Sequence, residues 1–174
     1  MNWEPVCAVD AGMRVHAGFN VSCGRQPYKL RMGSGFHARR ECSLLIEGGD
    51  LSIGQNLFMN NRCSINCQKS IEIGDNCLFG EDVRIYDHDH VFSLPQAIRD
   101  SGFKTSDVKV GNNVWLGTNV VVLRGSIIGD NTVIGANAVV QGVIPANSVV
   151  TSLGRKLEIR SIVRTESDHH PGSS

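Results

Sequence analysis

Between Val110 and Thr151 the apolar and polar positions recur every six residues. Val110, Leu116, Val122, Ile128, Ile134 and Val140 share one slot. Gly111, Gly117, Gly129 and Gly135 occupy the next slot, and Asn113, Asn119, Asn131 and Asn137 stand two places further on. This period matches neither the 3.6 of an amphipathic helix nor the 2 of a half-buried strand. It matches a solenoid in which each hexapeptide forms one short strand and one corner. The aliphatic slot then points inward, while Gly and Asn supply the positive φ that a tight corner demands. The pattern predicts an all-β chain folded as a parallel β-helix.

The same frame returns upstream. Ile53, Met59 and Ile65 form one trio, and Ile73, Phe79 and Ile85 form another after a slip around Ser70–Glu72. Residues 53–90 therefore predict two coils of three strands each. Residues 43–54 predict a further coil, turning at Gly48-Gly49-Asp50. Residues 1–43 keep only the spacing of Val9, Val15 and Val21, and are expected to form irregular N-terminal capping coils. The stretch 91–109 carries no six-residue frame and predicts a loop extruded from a corner, acting as a functional lid or wall. Coils resume at Val110 and run to 152, so that 44–152 is the solenoid domain. Residues 153–174 predict a tail, basic at first and then disordered. Six or seven coils at ~4.8 Å make a prism on the order of 30 Å long.

Charge changes the picture by exclusion. Lys+Arg and Asp+Glu balance at 17 each in 174 residues, so no net field argues for a nucleic-acid partner or a membrane surface. The plain aliphatic run Val120–Leu123 is too short to span a bilayer, and Glu4, Asp10 and Arg14 interrupt any apolar leader. The expectation is a cytoplasmic protein without an integral membrane segment. Of six cysteines, Cys63 and Cys77 fall in the slot that also holds Val114, Val120, Thr132 and Ala138, and read as buried core thiols. The pair Cys63 and Cys67 lacks a second cysteine pair at zinc spacing, and disulfides are not expected. His16 and His37 read as surface or capping residues, and His169 and His170 as inert members of the tail.

The chemically loaded stretch is Ile85-Tyr-Asp-His-Asp-His90, which completes one hexapeptide and precedes the unframed loop. Two carboxylates and two imidazoles in four positions do not serve packing. Three readings stand side by side. One histidine is a general base with a tautomer fixed by a carboxylate or carbonyl, the alternating side chains bind a metal, or the segment is a polar corner.

The motifs IGDN (73–76 and 128–131), VWLG (114–117) and VIGANAVV (133–140) resemble those of the hexapeptide-repeat acyltransferases. Over roughly residues 44–151 the chain looks most like the sugar and polysaccharide O-acetyltransferases of the maltose and galactoside type. The resemblance implies a left-handed coil, acetyl-CoA as co-substrate with no metal, and a homotrimer with active sites between subunits. It implies His90 as the base that deprotonates an acceptor hydroxyl, with Asn60 contacting the acceptor. Asp87 is expected either to orient the base or, as a substrate contact, to accept a hydroxyl, and His88 is expected as a loop or substrate-contact residue. Thr118 would offer its backbone N–H to the oxyanion, and Trp115 would wall the pantetheine arm. Gly117, Gly135 and Ala136 would let that arm approach the strand edge. Arg155, Lys156 and Arg160 would meet the CoA phosphates, although the Pro and Ala usual in that segment are missing here. Three other functions share this architecture: N-acetyl transfer to an amino sugar or xenobiotic, a γ-carbonic anhydrase-like metalloenzyme, and a non-catalytic β-helix subunit.

Overall fold

A computed structural model describes residues 6–24, 27–92, 97–153 and 156–161, with side chains between 8 and 151. Within them the chain visits three parallel sheets in turn, coil after coil, as a left-handed parallel β-helix of about 6 turns. The first face stacks Val6–Val9, Tyr28–Met32, Gly49–Ile53, Ser70–Ile73, Val108–Val110, Ile127–Ile128 and Val143–Ile144. The second stacks Arg14–Val15, His37–Ala38, Phe58–Met59, Leu78–Phe79, Trp115–Leu116, Val133–Ile134 and Ser148–Leu153. The third stacks Asn20–Cys23, Ser43–Ile46, Ser64–Cys67, Arg84–Tyr86, Val121–Val122 and Val139–Val140.

The register explains the period. On the second face Ala38, Met59, Phe79, Leu116, Ile134 and Val150 lie over one another, and all are fully buried. The third face repeats this with Leu44, Ile65, Ile85, Val122 and Val140. Every apolar frame residue from Ile53 to Val140 is at most 3% exposed. At ~1.5–3 kcal/mol for each large side chain withdrawn from water, these columns hold the coils together. Cys63 and Cys77 join the core as expected, and so do Cys42 and Cys67.

The corners divide the work differently from the expectation. Asn113, Asn119, Asn131 and Asn137 all have φ between 53° and 63°, and Asn119 Nδ2 donates to Asn137 Oδ1 at 3.0 Å in a ladder between coils. The neighbouring glycines do not adopt positive φ. They are required because the next coil is too close: a Cβ on Gly117 would lie 2.7 Å from the Ala136 nitrogen.

Two boundaries move. The N-terminal strands sit in the same three sheets as the rest, so regular coils begin at Val6. Their frame is faint because Val9, Val15 and Val21, on the first described coil, stay 45%, 43% and 40% exposed. The excursion from the corner is also shorter than 91–109. Phe103–Thr105 pairs antiparallel with His88–His90, and Val108 is already back on the first face. At the C-terminus Lys156–Ser161 pairs antiparallel with Ser148–Leu153. No helix among the described residues is long and apolar enough to cross a membrane.

Candidate active site

The corner between the third and first faces is built around Asp87. Its carboxylate is completely buried and accepts the backbone N–H groups of Gln68 (2.9 and 3.0 Å), Lys69 (2.7 Å) and Ser70 (2.9 Å) from the coil below. It also meets His88 Nδ1 at 3.0 Å, while the Asp87 carbonyl accepts the Ser106 N–H at 2.8 Å and closes the base of the excursion. Asp87 therefore has no surface to offer an acceptor, and its expected substrate contact is corrected: it is the plug of the corner. The carboxylate-oriented imidazole is that of His88, not His90.

The short ribbon then sets the two histidines. Residues two apart on a strand point to the same side. Accordingly both rings pack against Phe103, His88 edge-on at 5.2 Å and His90 tilted at 4.6 Å. His88 is half-buried between Phe103 and Tyr86. His90 is exposed and lines a pocket of about 240 Å³ with Asp89, Val91, Phe92, Lys104 and Arg124. Asp89, on the same pocket, is ion-paired with Arg124 Nε on the following coil. That pair ties the histidine ribbon to the solenoid, a role the sequence did not signal because the two residues lie 35 apart.

The remaining candidates gather at another corner, between the second and third faces. The ladder of backbone bonds Asn60 N–H to Phe79 O, Gly80 N–H to Leu116 O, Gly117 N–H to Ile134 O and Gly135 N–H to Val150 O stacks them in one column. Gly117 and Gly135 thus spend their amides on the next coil, which removes them as donors to a pantetheine. The residues after them differ. No acceptor among the described residues meets the backbone N–H of Glu81, Thr118 or Ala136. The contrast with the preceding corner gives the reason. There the equivalent amides of Gln55, Asp75 and Asn112 are each capped at 2.7–2.8 Å by the side-chain oxygen of Asp75, Asn112 or Asp130 one coil up. Thr118 and Ala136 stand where those caps would be, and neither reaches back. The result is an open row of amide donors on an exposed edge.

Trp115 flanks this row, half-exposed at 51% on the outer side of the second face, in register with Leu78 and Val133. Asn60 lies at the other end of the column. Its Oδ1 accepts the Asn61 N–H at 2.9 Å and Arg39 Nη1 at 3.3 Å, and no acceptor among the described residues meets its side-chain NH2. Of the basic candidates, Arg155 falls outside the described residues; Lys156 and Arg160 lie on the terminal strand opposite Leu153 and Val149.

In one chain the two groups are kept apart. After the turn at Glu81 and Asp82, residues 83–86 cross the third face, about four extended residues or roughly 13 Å. His90 and the amide row therefore sit on two different edges of the prism.

Among the described residues Cys42, Cys63, Cys67 and Cys77 are buried, and the hydrogen bond with Cys63 pulls the Cys42 thiol down to about 7. Burial pushes the Cys67 and Cys77 thiols up, and the hydrogen bond with Cys42 together with burial does the same to Cys63. Among the described residues no three His, Cys, Asp or Glu side chains converge to hold a metal ion.

Comparison with known proteins bears on the family and the fold. Residues 107–142 match the family model described as bacterial transferase hexapeptide (six repeats). The galactoside O-acetyltransferase of Escherichia coli (strain K12) is 36% identical over 107 residues, 61% of this chain and 52% of that protein. A solved maltose O-acetyltransferase from Clostridium difficile 630 is 30% identical with a TM-score of 0.57, covering 91% of this chain and 70% of its own. A hexapeptide-repeat acetyltransferase from Vibrio cholerae O1 biovar eltor, solved with acetyl coenzyme A, is 25% identical with a TM-score of 0.56 over 84% of this chain and 72% of its own. The chain spans 47–60% of the length of the first relatives it matches in sequence. The shared repeat and the 30% identity to a solved maltose O-acetyltransferase, 70% of which this chain covers, lead to one assignment: the chain belongs to the hexapeptide-repeat acetyltransferase family.

Proposed function

We propose that the protein transfers an acetyl group from acetyl-CoA to a hydroxyl of a sugar or surface-polysaccharide precursor, with His90 as general base. The observation that carries the reading is the pair of complementary half-sites. An exposed imidazole lines a pocket on one edge, and an uncapped row of backbone N–H groups beside an exposed tryptophan runs along another. A homotrimer that sets the His90 edge of one subunit against the Trp115 edge of the next would complete the site. The relatives named as galactoside and maltose O-acetyltransferases support a sugar hydroxyl as the acceptor.

In this mechanism a ring nitrogen of His90 takes the proton of the acceptor hydroxyl as its oxygen attacks the thioester carbonyl. The Thr118 N–H donates to the oxyanion of the tetrahedral intermediate. Collapse breaks the carbon–sulfur bond, and the imidazolium returns its proton to the CoA thiolate. Trp115 walls off water along the acyl donor, and the Ala136 N–H holds an amide oxygen of the pantetheine. Asn60 donates its side-chain amide to the acceptor.

The test is acetyl transfer to a sugar panel, detected by mass spectrometry. His90→Ala should lower turnover by at least about 100-fold with CoA still bound, as expected for loss of a general base. A second reading follows from the Asp87–His88 hydrogen bond, which gives His88 the oriented imidazole of a base. In that case His88→Gln would abolish turnover and His90→Ala would spare it. An N-acetyltransferase would instead acetylate the amino sugars of the panel and leave the hydroxyls untouched.

A further inference from the structure

The sequence places His16 and His37 only as surface or capping residues, yet the coils bring them into contact. Their Nε2 atoms lie 3.1 Å apart, with the rings stacked at 5.3 Å, and Phe58 closes His37 from one side at 5.1 Å. Arg14 precedes this pair on the second face, directly under His37 in the register, and Arg39 follows it at the corner. Each charged group that acts on His37 is cationic: His16, Arg14 and Arg39. Among the described residues neither arginine is ion-paired with a carboxylate, and the polar partner of Arg39 is Asn60.

Two imidazoles at this separation could in principle grip a divalent cation, whose bonds to nitrogen are about 2.0–2.1 Å. The flanking guanidiniums repel such an ion, and among the described residues no third His, Cys, Asp or Glu ligand converges on the pair. The same arrangement favours an oxyanion. Two arginine forks and two imidazole N–H groups, once both rings are protonated, match the several acceptor oxygens of a phosphoryl group.

Position gives the site a use. His16, Arg39, Asn60, Gly80 and Gly117 follow one another in the same corner column. The cluster therefore starts one coil below Asn60, while the amide row begins above it. Arg39 lies three coils from Gly117, about 14 Å at the spacing of adjacent strands. The geometry points to a phosphoryl-binding subsite made by Arg14, His16, His37 and Arg39, which anchors a phosphate carried by the acceptor while its hydroxyl lies toward the acyl donor. The acceptor class is then a glycosyl phosphate or a nucleotide-linked sugar. This rests on the acetyl-transfer reading for the identity of the ligand, although the anion site stands on its own geometry.

The test titrates the intact chain at low salt with inorganic pyrophosphate, glucose 1-phosphate and glucose, following the imidazole resonances by NMR. Pyrophosphate and glucose 1-phosphate should shift the His16 and His37 signals, and glucose should not. Arg14→Gln with Arg39→Gln should weaken both anions at least tenfold while CoA binding is unchanged, which shows that the variant is folded and that the CoA phosphates bind elsewhere. The proposal is overturned if the anions leave the imidazoles unmoved, if the double variant binds them as well as the parent does, or if zinc chloride binds the pair stoichiometrically and expels pyrophosphate. A chain that binds glucose 1-phosphate here yet acetylates nothing would refute the transfer reading and keep the subsite.

Discussion

Replacing Asp87 by alanine tests whether the corner before the histidines is held by that carboxylate. The side chain accepts three backbone N–H groups at 2.7–3.0 Å, from Gln68, Lys69 and Ser70, and the ring nitrogen of His88. A hydrogen bond to a charged group contributes about 1.5–3 kcal/mol, so three intact ones would total roughly 5–9 kcal/mol. Gln68 and Ser70 are only half-buried and Lys69 is exposed, so water reaches some of the released amides. The net loss should be ~3–5 kcal/mol, a large share of the 5–15 kcal/mol typical of a domain. Asp87→Asn keeps one acceptor oxygen but turns an NH2 toward amide donors, and should recover less than half of that loss. Urea unfolding gives the loss as a shift in midpoint at constant slope, and in heat it corresponds to roughly 6–20 °C. His88→Ala, which leaves the three amide bonds in place, is the control and should cost under about 1 kcal/mol. An Asp87→Ala chain that unfolds within about 1 kcal/mol of the parent, with the same slope, would refute this account of the corner.

Three further outcomes follow from the geometry. Gly117→Ala places a methyl 2.7 Å from the Ala136 nitrogen, so a coil must shift; a loss of about 1–3 kcal/mol is expected in the same denaturant assay, and an unchanged midpoint would contradict it. Burial lowers the pKa of His37, with help from cationic His16, Arg14 and Arg39. The unfolded chain then takes up this proton near pH 6.5, before the folded one does, so stability is full above that pH and declines as pH falls through it. The decline between pH 7.5 and 5.5 should be smaller in His37→Gln; equal slopes would remove the cause assigned. Finally, Cys63, Cys67 and Cys77, each about 1% exposed, should resist a thiol reagent in the native protein and react fully in denaturant, as counted by mass spectrometry.

The solenoid was legible because its core is a repeat: each apolar frame position from Ile53 to Val140 reports the same inward slot, and each Asn of the ladder reports the same positive φ. The first coils were faint for a physical reason. Val9, Val15 and Val21 of the first described coil stay exposed, and longer strands such as Tyr28–Met32 stretch the period. The candidate residues of the site were legible as types but not as partners. Asp87 and His90 stand three apart in the chain, yet one is wholly buried and the other exposed on a ribbon with Phe103.

The order of apolar, glycine and asparagine positions alone determined the architecture, since a periodic core needs only local spacing to place each strand over its neighbour. Which polar groups are spent and which are free was decided by the tertiary stack. Whether the amide of Gln55 is capped and that of Thr118 left open depends on the residue one coil away, Asp75 in the first case and Ala136 in the second. Contacts of that kind join residues about 20 apart, such as His16 with His37, and only the pitch of the coil brings them within reach.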